Sequence, residues 1–308
     1  MKPLDFMIIG AQKCATTTLF ELLRQHPDVN MPLEKEVPFF TDEGCSTSDW
    51  QVYVEKHFGQ EDGRLRGKAT PQYMCDPGAA ARIHAMMPST KLVAILRDPI
   101  ERTWSHYQMG LRRDTETRPF EAAIDPLLSP PSLQHNRGLP VPTHHTGYES
   151  ESAFYVAWSE YGRILQQYVN LFGSENVLVL FTEDLEQDPA GTLDHLLAFI
   201  GLTPGFRPSG LGQVMHKGGG SNRVPHGLRV WLRERRMLYG LWQRLPDSRR
   251  GRLRFLYERW NVRKTGAAPT GMSDTVRAAL REHFRDDLAL LSRVVIDPPP
   301  WLDNYLAG

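Results

Sequence analysis

Residues 6–25 read FMIIGAQKCATTTLFELLRQ, and this stretch decides the class of fold. An apolar run ends at Gly10, a lysine and three threonines follow, and leucines then recur at helical spacing. A strand, a tight loop and a helix in this order form a cradle for phosphate groups, because the free N–H groups of the first helical turn point into the loop. The stretch therefore predicts an α/β protein with a phosphate-binding loop after its first strand.

The position of the lysine in this loop excludes the usual nucleoside-triphosphate motif. That motif, G-x-x-x-x-G-K-[ST], places its lysine six positions after the first glycine. Lys13 comes only three positions after Gly10, and Ala15 replaces the second glycine. The loop resembles a P-loop but indicates a phosphate site of a different kind.

The composition narrows the class of protein. The chain has 308 residues, is 41% hydrophobic, and carries 36 Lys+Arg against 36 Asp+Glu. These values are ordinary for a folded domain, and the balanced charge predicts neither nucleic acid nor an anionic membrane as partner. No apolar run approaches the roughly 20 residues that cross a bilayer.

The cysteines and the first residues predict the compartment. Cys14, Cys45 and Cys75 form no C-x-x-C pair, so we expect a reducing compartment without disulfides and without a zinc site. Met1-Lys2-Pro3 leads almost directly into the first strand and leaves no room for a signal peptide. We therefore expect a cytoplasmic protein.

A second strong signal is residues 91–99, which read KLVAILRDP. The unbroken apolar run is typical of a strand buried on both faces of a parallel sheet. Arg97 ends the run, Asp98 suits a helix N-cap, and Pro99 suits the first helical position. Ser105 then lies about two turns into the helix. A charged residue at the end of a central strand lies at the edge where open α/β sheets bind ligands.

The remaining patterns predict one α/β domain over residues 1–308, with a central parallel sheet flanked by helices. Further patterns predict a helix over about 152–172, a strand at 176–181 and a helix from 183 to 200. Residues 112–150 contain six prolines and little periodicity, which predicts a long loop on the substrate side. Residues 216–264 begin rich in glycine and continue with 13 Lys+Arg against 3 Asp+Glu from position 223.

The chain resembles sulfotransferases that use 3′-phosphoadenosine 5′-phosphosulfate (PAPS), closest to bacterial members and to the heparan-sulfate-type branch. Residues 9–19 (IGAQKCATTTL) resemble the family's loop for the 5′-phosphosulfate, and residues 96–107 (LRDPIERTWSHY) resemble its 3′-phosphate motif. Residues 35–40 (KEVPFF) resemble the segment whose glutamate serves as base in the heparan-type branch. The glycine-rich stretch at 216–223 stands where the family has a loop that closes over the nucleotide.

The resemblance implies in-line transfer of the sulfuryl group of PAPS to a hydroxyl of a small-molecule metabolite or glycan, free or carrier-bound. It implies a bacterial enzyme of secondary metabolism with no metal requirement. Lys13 would stabilise the leaving phosphate, and Glu36 would be the general base. The implied cofactor contacts are Gln12, Lys13, Cys14, Ala15, Thr16, Thr17, Thr18, Arg97, Ser105, Lys217, Gly218 and Arg223. The implied acceptor contacts are Lys68, Tyr73 and His144.

Three positions depart from the family pattern. Ala15 stands where a glycine is usual, Cys14 replaces a smaller residue, and Lys68 stands where bacterial members often carry glutamate. Some residues also have plainer interpretations: Glu36 could pair with Lys35 or Lys68, and Arg97 could form a salt bridge. The basic residues of 216–264 could be a solvated face or a docking surface for an acidic partner.

Two other functions remain open at this point. A nucleoside-triphosphate kinase would need Mg²⁺ and a second, acidic metal site, which the sequence does not display. A catalytically inactive protein would bind the nucleotide without transferring a sulfuryl group. Neither the acceptor nor the oligomeric state follows from the sequence.

Overall fold

The computed structural model describes residues 3–142, 151–212 and 271–306, together with Val224 and two short strands at 221–222 and 262–263. Five parallel strands form a central sheet in the order β2-β3-β1-β4-β5. A separate antiparallel pair joins β6 to β7. The strands are β1 (Phe6–Gly10), β2 (Val29–Asn30), β3 (Leu65–Ala69), β4 (Lys91–Leu96), β5 (Val177–Phe181), β6 (Ser221–Asn222) and β7 (Val262–Arg263).

Helices flank this sheet, which confirms the predicted α/β class. They are α1 (Thr16–Leu23), α2 (Thr47–Phe58), α3 (Ala79–Met86), α4 (Pro99–Arg113), α5 (Phe120–Ile124), α6 (Pro130–Gly138), α7 (Tyr161–Phe172), α8 (Thr182–Gln187), α9 (Pro189–Ile200), α10 (Asp274–Val294) and α11 (Asp303–Leu306). Strand β1 is buried along its whole length because it lies in the middle of the sheet.

The strand order places a crevice between β1 and β4. The chain leaves β1 toward β2 on one side of the sheet and leaves β4 toward β5 on the other. The loops after these two neighbouring strands therefore diverge, and open α/β sheets bind ligands at the carboxyl ends of strands where this happens. Residues 11–15 follow β1 and Arg97 follows β4, so the two predicted phosphate motifs meet at this edge.

Residues 112–142 correct the prediction of a long loop. This part of the segment contains α5, a 3-10 turn and α6, and Phe120 and Ile124 are buried in the core. Pro119 caps α5 and Pro130 starts α6. The prolines begin helices here, where a missing N–H carries no cost, and so they do not indicate irregular chain.

Two other helices differ from the predicted bounds. The segment expected as one helix from 152 begins with 3-10 turns, and α7 starts only at Tyr161. The Asp287 carboxylate of α10 accepts the N–H groups of Gly162 and Arg163, so α7 begins at a cap supplied from far along the chain. The helix expected over 183–200 is divided before Pro189, where Asp188 accepts the N–H of Gly191 and starts α9.

Candidate active site

The loop after β1 has an unusual backbone. Lys13 and Ala15 have φ of 74° and 58°, in the left-handed region that favours glycine. This conformation agrees with the glycine that the family resemblance implies at the position of Ala15. Ala15 precedes α1, and the N–H groups of Thr16–Thr18 have no carbonyl one turn earlier within the helix. The loop therefore presents N–H groups and hydroxyls at a helix N-terminus, as the sequence predicts.

Lys13 is a half-buried cation without a carboxylate partner among the described residues. Burial, together with the charges of Arg112, Arg113 and Arg102, lowers the pKa of Lys13 to about 7. Positive charge gathered in this way is stabilised by a bound anion, which would raise the pKa of the lysine again. The geometry thus gathers positive charge at the crevice.

Arg102 supports the loop from below. It is completely buried, its Nε donates to the Gln12 carbonyl at 3.1 Å, and its Nη1 donates to the Tyr155 carbonyl at 3.3 Å. Its Nη2 is buried without a hydrogen-bond partner among the described residues. Arg102 therefore adds both rigidity and positive charge directly behind Lys13.

The side chains of Gln12 and Cys14, two predicted cofactor contacts, are buried and bonded within the protein. The Gln12 side chain is buried and donates to Glu151 Oε2 at 3.1 Å. The Cys14 side chain is completely buried with its Sγ 3.7 Å from the Tyr161 hydroxyl, and burial raises the pKa of this thiol to about 11. The Cys14 N–H donates to Ala11 O at 3.2 Å. Both residues shape the loop, and neither side chain is directed at a ligand.

Arg97 and Ser105 lie on the β4 side of the crevice. The Arg97 side chain is 36% exposed, and its Nη2 lies 4.0 Å from Glu101 Oε2, at the limit of an ion pair. Asp98 caps α4 by accepting the N–H groups of Ile100 and Glu101, as the sequence predicts. Ser105 follows on α4 and is half-buried. The Arg97 guanidinium is therefore available to a ligand at the switch point of the sheet.

Glu36 lies on an irregular loop, as predicted, with a left-handed φ of 61°. Its carboxylate is 40% exposed, forms an ion pair with Lys35, and accepts a hydrogen bond from Gln72 Nε2 at 3.4 Å. Burial alone would raise the pKa of Glu36, but Lys35 and Gln72, with the more distant charge of Arg113, lower it below its ordinary value. The ion pair with Lys35, which the sequence offered as the plainer interpretation of Glu36, is present, and the carboxylate is nevertheless accessible.

Lys68 and Tyr73 do not reach the crevice. Lys68 is 1% exposed and Tyr73 is completely buried, and the Lys68 Nζ donates or accepts only within the protein. Lys68 forms no ion pair with Glu36. The predicted acceptor contacts at these two positions therefore do not fit the structure, because both side chains lie beneath the loop that carries Glu36.

Arg112 and Arg113 lie beside Lys13, although no sequence motif points to them. They form the last turn of α4, are half-buried, and lower the pKa of Lys13. Arg113 also acts on Glu36, and its Nη1 lies 3.8 Å from Glu151 Oε1. The helical period could have indicated Arg112, because it follows Ser105 by seven residues and so lies two turns along the same helix face.

His106 and Glu151 form a buried pair beneath this cationic surface. His106 Nε2 lies 2.8 Å from Glu151 Oε2. Burial lowers the pKa of His106 to about 4, with the charge of Arg102 acting in the same direction, so the neutral imidazole donates to the carboxylate. Glu151 is thus held by His106 and Gln12 and balances part of the charge of Arg113.

Four predicted site residues, Lys217, Gly218, Arg223 and His144, lie outside the described residues. In the described part of the chain, no group of three or more His, Cys, Asp and Glu side chains is arranged to hold a metal ion. No described helix is long and apolar enough to cross a membrane.

Comparison with known proteins places this site in a family. Residues 3–211 match the family described as the sulfotransferase domain. Human heparan sulfate glucosamine 3-O-sulfotransferase 6 is 31% identical over 201 residues, covering 64% of this chain and 52% of the relative. The membrane-associated sulfotransferase kil1 of Dictyostelium discoideum is 32% identical over 127 residues, covering 40% of this chain and 27% of that protein. The chain spans about half the length of the heparan sulfate relatives it matches.

A solved structure shares the fold. The crystal structure of a sulfotransferase from Alicyclobacillus acidocaldarius has a TM-score of 0.63 to this chain at 22% identity, and the match covers 96% of each chain. The fold is therefore a known sulfotransferase architecture.

Proposed function

The chain belongs to the PAPS-dependent sulfotransferase family, and on this premise we propose that it transfers the sulfuryl group of PAPS to a hydroxyl of a small-molecule metabolite or a glycan. The observation that carries the proposal is Lys13, a half-buried cation beside Arg112, Arg113 and Arg102 with no carboxylate partner in the described chain. A site with this charge is suited to a 5′-phosphosulfate. The heparan sulfate relatives support a glycan acceptor.

The residues at the crevice fit the two anionic ends of PAPS. The N–H groups and hydroxyls of Thr16–Thr18 and the Lys13 ammonium are suited to the 5′-phosphosulfate. Arg97, with its planar fork of donors, and Ser105 are suited to the 3′-phosphate. PAPS supplies a sulfuryl group already activated by its bond to the 5′-phosphate.

We propose that Lys13 stabilises the charge that develops on the leaving phosphate. Its low pKa in the free protein reflects burial beside like charges, and a bound anion keeps it protonated. The buried Arg102 fixes the Gln12 carbonyl, so the lysine does not have to reorganise when the charge appears. Thus the loop supplies a preorganised positive charge.

We propose that Glu36 removes the proton from the acceptor hydroxyl. Because its pKa lies below the ordinary value, the carboxylate is ionised at neutral pH and can accept a proton. A positioned general base contributes on the order of 10²–10⁴ in rate. Arg112 and Arg113 lie at the same opening and are suited to an anionic acceptor or the sulfuryl oxygens.

We also propose that the segment at 216–264 closes over the nucleotide. Its described strand β6 lies beside α4, the helix that carries Ser105. A cytoplasmic location, a role in bacterial secondary metabolism and the absence of a metal requirement are further parts of the proposal, and they rest on the sequence.

The first experiment measures binding without an acceptor. Adenosine 3′,5′-bisphosphate should raise the melting temperature much more than 5′-AMP, because a ligand at 100 times its Kd stabilises by about 2.7 kcal/mol. Arg97→Ala should remove most of this difference, whereas Arg24→Ala, at the exposed arginine that follows α1, should not. Equal stabilisation by the two nucleotides would exclude the 3′-phosphate site.

The second experiment measures transfer from labelled PAPS. Heparan sulfate oligosaccharides serve as the glycan probe, and phenols and aliphatic alcohols serve as small-molecule probes. Labelled product with any of these supports the proposal. Strong binding of the bisphosphate without transfer to any acceptor would favour an inactive nucleotide-binding protein.

A further inference from the structure

The loop that carries Glu36 is held from below by a buried polar cluster of Lys68, Tyr53 and Tyr73. Lys68 lies in β3 and is 1% exposed. Its Nζ lies 2.7 Å from the Val37 carbonyl oxygen, 2.8 Å from the Tyr53 hydroxyl and 2.7 Å from the Tyr73 hydroxyl. No carboxylate of the described chain contacts this amine. The cluster therefore joins the central sheet to the loop through neutral groups.

Both tyrosine hydroxyls also form hydrogen bonds with the backbone of the loop that carries Glu36. The Tyr53 hydroxyl donates to the Val37 carbonyl at 2.9 Å. The Tyr73 hydroxyl accepts the N–H of Phe39 at 2.9 Å and that of Phe40 at 3.3 Å. Three backbone groups directly after Glu36 are thus bound by side chains that meet at the amine of Lys68.

Glu36 is also bound on its other side by the strand that carries Lys68. The Glu36 N–H donates to the carbonyl of Ala69, the last residue of β3, at 3.1 Å. We propose that Lys68 is a positioning residue for Glu36: its amine binds the loop to the end of β3 and thereby places the carboxylate at the crevice. This inference rests on the proposed role of Glu36 as the base.

The hydrogen count at the cluster favours an uncharged amine. A hydroxyl oxygen accepts two hydrogen bonds and donates one. The Tyr73 oxygen already accepts two from the loop, so a charged lysine would give it a third. A neutral amine instead accepts the Tyr73 hydrogen and donates its own two hydrogens to Val37 O and the Tyr53 hydroxyl. Every hydrogen then has a partner.

The surroundings of Lys68 agree with this count. Burial lowers the pKa of Lys68 well below its ordinary value. The amine lies 4.8 Å from the ring centroids of Tyr53 and Tyr73, and both phenols stay protonated because burial raises their pKa values. The titratable neighbour on α2 is His57, whose ring centroid lies 4.6 Å from that of Tyr53, and burial lowers the pKa of His57. No described acid stabilises a positive charge at this place.

The test compares Lys68→Met with a matched control, Lys91→Met. Lys91 lies in β4, two strands away from β3, and its Nζ donates to the Phe199 carbonyl. Tyr73→Phe is a second variant, because it removes only one hydroxyl of the cluster and retains the buried ring. For each protein we measure hydrogen exchange at the Phe39 and Phe40 amides, the Kd for adenosine 3′,5′-bisphosphate, and turnover with its pH profile.

We expect Lys68→Met and Tyr73→Phe to lose protection at these two amides and to keep the wild-type Kd. We expect kcat to fall roughly 100-fold, as for a misplaced catalytic group. Lys35 and Gln72 lower the pKa of Glu36, and a displaced Glu36 loses these contacts. Its pKa should therefore rise, and the acid limb of the pH profile should move to higher pH. Lys91→Met should show none of these changes.

Unchanged protection at Phe39 and Phe40 in both variants would overturn the proposal, as would a kcat and pH profile equal to those of Lys91→Met. The exchange measurement needs no acceptor, so its outcome is independent of the proposed function. If protection is lost while Glu36→Gln keeps full turnover, the loop is positioned as described and Glu36 is not the base.

A further measurement tests the neutral amine. The unfolded chain binds a proton at Lys68 below about pH 10.5 and the folded protein does not, so wild-type stability should rise with pH relative to Lys68→Met. The ratio of the two unfolding constants should change by roughly tenfold per pH unit between pH 8 and pH 10. A ratio independent of pH would show that the amine is charged in the folded protein.

Discussion

Two charged clusters in this molecule differ in how completely their charges are paired. At the start of α7, Arg137, Arg163 and His283 converge on the buried carboxylate of Glu160, at distances of 2.6 to 3.1 Å. At the loop after β1, Lys13 stands beside three arginines and has no carboxylate partner in the described chain. The first cluster satisfies its charges within the protein, whereas the second leaves positive charge open to a ligand.

The pKa values express the same difference. Burial alone would raise the pKa of Glu160, but hydrogen bonds from His283 and Arg137 and the charges around it lower the pKa to about 2. Burial and like charges lower the pKa of Lys13 to about 7. A structural cluster stabilises the charged form of its central residue, and a binding cluster keeps its central residue poorly stabilised until a ligand arrives. Mutations at the two places should therefore separate stability from activity.

The largest expected effect is on turnover in Glu36→Gln. The glutamine side chain cannot take up the proton that the acceptor hydroxyl loses. We therefore expect kcat to fall by about 10²–10⁴ while the Kd for adenosine 3′,5′-bisphosphate stays unchanged. The control is Glu34→Gln, at an exposed position on the same loop. Turnover near the wild-type rate in Glu36→Gln would remove the base from the mechanism.

Lys13→Met should reduce kcat by about 10²–10³, the loss typical of removing one group that stabilises a developing charge. Its melting temperature without ligand should equal or exceed that of the wild type, because the variant relieves repulsion with Arg112, Arg113 and Arg102. Lys56→Met, at an exposed lysine of α2, is the matched control. A clear loss of stability in Lys13→Met would show that the Lys13 cluster stabilises the fold, as the Glu160 cluster does.

Glu160→Gln should have the opposite pattern. Breaking a buried ion pair costs about 3–5 kcal/mol, and we expect the lower end because Arg137 and Arg163 are partly exposed and can turn to water. Urea unfolding measures this loss, and the Kd for the bisphosphate should stay unchanged at temperatures where the variant is folded. Glu282→Gln, whose side chain is 69% exposed beside Arg285, should be nearly neutral.

The smallest effect is the pH dependence of nucleotide binding. Lys13 is charged below a pKa of about 7 in the free protein, and the bound anion keeps it charged above that pH. Binding above pH 7 therefore takes up a proton, and affinity should fall by less than tenfold per pH unit between pH 7 and pH 9. Titration calorimetry at pH 8, in buffers of different ionisation enthalpy, measures the uptake, which Lys13→Met should abolish.

The local signals in the sequence predicted the elements around the crevice. The apolar run before Gly10, the threonines after Lys13 and the N-cap at Asp98 each act within a few residues, so their structures follow from nearby atoms. The same holds for Glu36, which Pro38 keeps on an irregular loop. The catalytic roles of Lys13 and Glu36 remain predictions.

Three predicted contact residues have side-chain partners that the sequence does not show. Gln12 and Cys14 point away from the crevice because their partners, Glu151 and Tyr161, lie more than a hundred residues later. Lys68 was expected to contact the acceptor, and only the packing of Tyr53 and Tyr73 around it shows that it is buried beneath the loop. No local pattern contains these contacts.

The sequence by itself determined the α/β class, the early position of Lys13 in the loop after β1 and the position of Arg97 at the end of β4, because strands, caps and tight turns depend on interactions between neighbours. Only the tertiary structure decided that Arg112 and Arg113 join Lys13 and that Lys68 binds the loop of Glu36. Burial and charge at a site depend on which distant segments pack together. This packing pairs Glu160 with cations and leaves Lys13 without a carboxylate partner in the described chain.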